Sequence, residues 1–169
     1  GMLVDCSHSG YRTTMDAMEV SSDPVIFSHS NPRRLVDHGR NIVDDQIKGC
    51  AATGGVIGIN GIGMFLGGSI KPNVFVDHIA YVADLVGVEH VGIGLDYADD
   101  EEAGDIGNMF EANTDYWPPE DYNEPIEGFM GPEQLPAITE LLLSRGFSRS
   151  EIEGILGKNF RRIAEQVWK

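Results

Sequence analysis

An α/β fold built on a parallel sheet is predicted by three features of the sequence. Four short runs, Leu3–Ser7, Val25–Ser28, Val56–Asn60 and Val91–Leu95, are strand candidates, and Val25–Ser28, bounded by Pro24 and by polar residues, suits a strand covered on both faces. Segments with helical apolar spacing alternate with them, the pattern of βα units. Each run also gives way to a polar residue at its carboxyl end: His8, His29, Asn60 and Asp96. Crossovers between parallel strands are right-handed, so these ends share one edge of the sheet, where α/β folds place their chemistry.

Taken in order, the first run is followed by the turn Ser9-Gly10. Thr13 with Asp16 approximates a capping box for a helix whose apolar positions are Met15, Ala17, Met18 and Val20, before Ser21–Pro24 ends it. The second strand leads through His29 into a polar loop, Asn31–Asn41. Val43, Ile47, Cys50 and Ala51 then mark one face of a helix running to about Ala52, stopped by Gly54-Gly55. The third strand opens into a glycine-rich loop, Gly61–Ser69. Pro72 starts a helix with a stripe of Val76, Ile79, Val82, Ala83 and Val86, and Gly87 stops it.

After the fourth strand, the segment from Tyr97 to Gly131 holds eleven acids and no Lys or Arg. Its aromatics Phe110, Tyr116, Trp117 and Tyr122 argue for packing, either as a lid across the rim or as cover for the sheet edge. Leu135, Ile138, Leu141 and Leu142 mark a further helix ended by Gly146. Ser148 with Glu151 forms a capping box for the next. Phe160, Ile163, Ala164, Val167 and Trp168 make a final amphipathic helix.

The 169 residues, 41% hydrophobic and 23% charged, suit a single domain spanning 1–169. A formal charge of −15 without a basic patch argues against nucleic acid as partner. No run approaches the roughly 20 apolar residues a membrane helix needs, and the first residues show no signal peptide. Cys6 and Cys50 lack metal-ligand spacing and read as reduced core residues of a cytoplasmic type of protein. Gly1-Met2 reads as an expression remnant ahead of the original start.

Two imidazoles and a carboxylate suit a borderline divalent ion such as zinc, whose catalytic sites leave a position open for water. His8 and His29 are the candidate ligands, and Asp96 is a further ligand or the proton carrier beside the metal. Of the arginines after the second strand, Arg40 is the candidate for holding a substrate carboxylate, whereas Arg33 and Arg34 read as surface partners of the acidic segment. His38 reads as a solvated loop residue, and His78 and His90 as structural. No compact motif such as HExxH joins the candidates, and a half-buried structural role for His29 is the plain alternative.

DCSH at Asp5–His8, DPVIFSHS at Asp23–Ser30, GRNIVDD at Gly39–Asp45 and GIGLDY at Gly92–Tyr97 resemble, in order and spacing, the carboxyl-terminal half of the membrane (renal-type) dipeptidase family of zinc peptidases. NTDYWPPEDY, GPEQLPAITELLLSRGFS and GKNFRRIAEQVW are similar to its bacterial members. The resemblance implies a (β/α)8 barrel with two zincs that hydrolyses dipeptides, often with a D-residue at the carboxyl end. It further implies that His8 and His29 bind one zinc, that Arg40 holds the substrate carboxylate, that Asp96 is the acid beside the metals, and that Asn60 lies near the substrate pocket.

Such a barrel needs about 250 residues, and four strands are half of it. The family's His-x-Asp pair and bridging glutamate have no counterpart here, so the chain is expected to be a fragment holding at most one zinc. Its open edges are expected to be closed by a homo-oligomer or by a missing amino-terminal half. A metallo-dipeptidase and a catalytically inactive half-barrel serving as a binding module are the two readings that follow.

Overall fold

A computed structural model of the chain describes residues 1–99, 108–109, 112–117, 119 and 128–168. Among these, four strands form one parallel sheet in chain order: β1 (Val4–Asp5), β2 (Val25–Phe27), β3 (Val56–Ile59) and β4 (Val91–Ile93). Val4 pairs with Val25, Ile26 with Val56, and Gly58 with Gly92. The strands are shorter than the runs read from sequence: β1 stops before Cys6, and β4 stops before Gly94 and Leu95. The helices are α1 (Tyr11–Val20), α2 (Asp44–Ala52), α3 (Pro72–Val86), α4 (Leu135–Ser144), α5 (Arg149–Glu153) and α6 (Asn159–Val167), with a π-helical turn, Gly154–Lys158, between the last two.

Alternation along the strands divides the sheet into two faces. Val25, Phe27, Ile57, Ile59 and Val91 enter the main core with Ile47 and Cys50 of α2, Phe75, Val76, Ile79 and Val82 of α3, and Ile138 and Leu142 of α4. Ile26 and Val56 form a second cluster with Ile163 and Val167 of α6, flanked by Leu3 and Phe160. Helix α6 also ties down the amino ends of β3 and β4: Asn159 Nδ2 donates to the carbonyls of Val88 and Val91, and Arg162 donates to those of Gly54 and Glu89.

Several local expectations need correction. Helix α1 starts at Tyr11 with Gly10 as its N-cap, not at a Thr13 box, because Thr14 Oγ1 donates back to the Tyr11 carbonyl and the backbone is already helical there. Val20 and Trp168, expected on buried faces, are 80% and 64% exposed. His38 is not a solvated residue: its ring meets Phe65 edge-on and its Nδ1 accepts from Arg40 N. Arg33 pairs with Asp37 of its own loop. The capping box of Ser148 with Glu151 is present, and Cys6 and Cys50 are buried free thiols. His78 is buried in α3, and His90 Nδ1 contacts the Gly55 carbonyl. Most of the acidic segment, Phe110 and Tyr122 included, lies outside the described residues.

Candidate metal centre at the carboxyl rim of the sheet

His8, His29, Asn60 and Asp96 come together at one rim, as the strand ends require. The candidate ligand atoms of His8, His29 and Asp96 all lie within 4.8 Å of one another. His29 Nε2 is 2.9 Å from His8 Nε2 and 3.9 Å from Asp96 Oδ2, and the two rings are tilted by 56° with centroids 4.9 Å apart. His8 and Asp96 have positive φ, 63° and 54°, a left-handed conformation that is uncommon for non-glycine residues. Strain of this kind concentrates where a side chain must be aimed. Here it turns both side chains toward His29.

Each element of the site is held by neighbours. Asn60 is buried, its Nδ2 donates to Asp96 Oδ2 at 3.1 Å, and its Oδ1 accepts from Ile62 N at 2.7 Å. Asn31 locks Asn60 in turn, accepting from its backbone N–H and donating to its carbonyl. Asn60 therefore stands behind Asp96. Ser28 Oγ donates to Asp5 Oδ2 at 2.5 Å and meets His29 Nδ1 at 2.7 Å. Ser7 Oγ accepts from His29 N at 3.1 Å. Sequence reasoning did not single out Asp5 and Ser28, although both stand in the stretches DCSH and FSHS.

Arg40 is bound to the same strand end. Its Nη1 donates to Ser30 Oγ at 3.0 Å and its Nη2 to the His29 carbonyl at 2.8 Å, with the guanidinium 5.8 Å from the Phe65 ring centroid. It lines a cleft of about 890 Å³ together with His8, Tyr11, Gln46, Tyr116 and Trp117. Two aromatics of the acidic segment thus border the cleft that opens beside the candidate ligands.

Charge in the site suits a cation. Burial, then the Arg40 guanidinium and the neighbouring imidazole, push His8 below its ordinary pKa despite Asp96 and Asp5. Burial and Arg40 do the same to His29 against Asp96. Neutral imidazoles are the form that binds a metal. Half-burial alone would raise the Asp5 carboxyl, yet hydrogen bonds from Ser28 Oγ and from the backbone N–H groups of Ser7 and Ser28 hold it below the usual range. Two neutral imidazoles and a carboxylate converging from three strand ends fit a divalent ion of the zinc class with an open coordination position.

The sequence model of the membrane dipeptidase family, peptidase family M19, matches residues 1–110. A dipeptidase of Aspergillus terreus is 31% identical over 174 residues, covering 99% of this chain and 36% of the relative. An uncharacterized dipeptidase of Schizosaccharomyces pombe is 41% identical over 101 residues, 57% of this chain and 24% of the relative. Among solved structures, an amidohydrolase from Pseudomonas aeruginosa superposes with a TM-score of 0.79 at 26% identity, over 99% of this chain and 53% of that one. A metallopeptidase from Rhodobacter sphaeroides, liganded with a phosphinate mimic of L-Ala-D-Ala, shares the fold with a TM-score of 0.69 at 19% identity, over 97% of this chain and 42% of that one. The chain spans between 24% and 38% of the length of four curated dipeptidase relatives that it matches.

Proposed function

The chain belongs to the membrane dipeptidase family, and from that premise we propose that it is the carboxyl-terminal half of a metal-dependent dipeptidase barrel that keeps half of the metal site. The observation that carries this reading is the convergence of His8, His29 and Asp96 within 4.8 Å. His8 and His29 would hold one zinc, with Asp96 beside it. The ion, when bound, supplies the Lewis acidity that activates water and polarises the scissile carbonyl of a dipeptide.

The remaining steps belong to the protein's own side chains. Arg40, anchored to the His29 carbonyl and Ser30 Oγ, orients the substrate's carboxylate, for which a planar guanidinium fork is suited. Asp96 Oδ2, held by Asn60 Nδ2, accepts the proton of the attacking water and returns it to the leaving amine. Asn60, near the substrate pocket, fixes the Asp96 carboxylate. Tyr116 and Trp117 line the cleft in which the substrate would sit. A dipeptide with a carboxyl-terminal D-residue is the substrate class we assign.

A second reading is favoured by one observation. Among the described residues a single group of three candidate ligands is found, too few for two zincs. A chain with this donor set would be an inactive half-barrel that binds or scaffolds. The open edges support an assembly in either case: among the described residues β1 pairs with β2 alone and β4 with β3 alone. A second copy or a separate amino-terminal half would close them. No helix among the described residues is long and apolar enough to cross a membrane, and the two reduced thiols favour the cytoplasm. The test is hydrolysis of L-Ala-D-Ala by the zinc-loaded chain with its mass measured in the same sample. Turnover that disappears in Arg40→Ala supports the enzyme reading, and zinc binding without turnover supports the inactive one.

A further inference from the structure

Asp5 and Ser28 form a relay onto His29 whose hydrogens can be assigned by counting donors. The Asp5 carboxylate is an acceptor on both oxygens: Oδ1 takes the backbone N–H groups of Ser7 at 3.0 Å and Ser28 at 3.1 Å, and Oδ2 faces Ser28 Oγ at 2.5 Å. A serine hydroxyl has a single hydrogen. Ser28 spends it on Asp5, so at the 2.7 Å contact with His29 Nδ1 its oxygen can only accept. The imidazole must then be the donor there. A neutral imidazole carries one N–H, which leaves the lone pair on Nε2.

We infer that Asp5 and Ser28 are positioning residues that hold His29 in the Nδ1–H tautomer, with its Nε2 lone pair aimed at the rim. This deepens, and rests on, the metal-site reading above.

The arrangement has a structural origin. Asp5 pairs with Ile26 in the parallel ladder, so its side chain meets the chain of β2 where Ser28 leaves the sheet. Both Ser28 bonds to Asp5, through N and through Oγ, fix the residue immediately before His29. Ser7 Oγ, accepting from His29 N, fixes it from the other side. Outer partners of a ligating histidine typically contribute a factor of about 10 to 100 in metal affinity.

The experiment uses the 169-residue chain, labelled with ¹⁵N, freed of metal and held near pH 8. Long-range ¹H–¹⁵N correlation gives the tautomer of each histidine, and His29→Gln assigns the His29 pattern. Zinc affinity is measured on the same samples by competition with a chromophoric chelator. The expected result is an Nδ1–H pattern for His29. Ser28→Ala loses the His29 preference and binds zinc about 10 to 100-fold more weakly, and Ser28→Thr, which keeps the hydroxyl, restores both. Asp5→Asn gives the same loss should Ser28→Ala fail to fold. An Nε2–H pattern for His29 in the unaltered chain, or an unchanged pattern in a folded Ser28→Ala, overturns the inference. An Nδ1–H His29 in a chain that takes up no zinc supports the relay and overturns the metal reading.

Discussion

Asn60 Nδ2 donates to Asp96 Oδ2 at 3.1 Å, joining the ends of β3 and β4 through a buried amide. The same amide accepts from Ile62 N, so it fixes both the carboxylate and the start of the loop beyond β3. Asn60→Ala removes both bonds and leaves a backbone donor unpaired. A destabilisation of about 1 to 3 kcal/mol is expected from the unmet hydrogen bonds, with zinc affinity weakened by about tenfold. Chemical denaturation and chelator competition measure the two effects. Unchanged affinity would mean that Asp96 is not held by Asn60.

Gly94 sets the distance between the ends of β4 and β2. A Cβ at this position would lie 1.9 Å from the Ser28 carbonyl oxygen and 3.2 Å from His29 Cα, both backbone atoms that cannot swing aside. Gly94→Ala is therefore expected to push the two strand ends apart, at a cost of about 1 to 3 kcal/mol as for other overpacked sites, and to weaken zinc binding because His29 and Asp96 sit on the separated pieces. Thermal unfolding and zinc competition read the two consequences, and an unaffected variant would show that the close approach does not bear on the site.

Stability should fall in mild acid because of His78. This side chain is buried in α3 and burial pushes its imidazole down to about 4, against the opposing field of Asp77. The unfolded chain takes up the proton near the ordinary value of 6.5, whereas the folded chain does so only near 4. The unfolded state thus binds more protons between these values, and stability is lost as pH falls from about 6.5 toward 4. The loss is at most about 3 kcal/mol. Urea unfolding from pH 7 to 4.5 measures the slope, and His78→Leu should reduce it. A slope that persists in full would place its origin elsewhere.

At the start of α5, Ser148 Oγ accepts from Glu151 N at 3.3 Å while Glu151 Oε2 accepts from Ser148 N at 2.7 Å. Ser148→Ala should cost about 1 kcal/mol, seen as faster amide exchange over Arg149–Glu153. Unaltered exchange there would deny the cap its role.

The parallel sheet was legible because Val25–Phe27 and Val56–Ile59 are continuous apolar runs with no solvent face, and every residue in them is indeed buried. The start of α1 was not, because Gly10 caps it with backbone alone and no side chain announces it. His8, His29 and Asp96 could be singled out because parallel strands send their carboxyl ends to one rim. Asp5 and Ser28 could not, since their bond joins residues 23 apart through strand pairing and has no local spacing. The left-handed backbone of His8 and Asp96 leaves no mark in composition either.

The most direct test of the account is the zinc content of the purified chain, measured by elemental analysis with and without His29→Ala. One zinc per chain, lost in the variant while its fold is retained, is the predicted result. A chain that holds no zinc, or one whose zinc survives the loss of His29, would contradict the metal centre proposed at this rim.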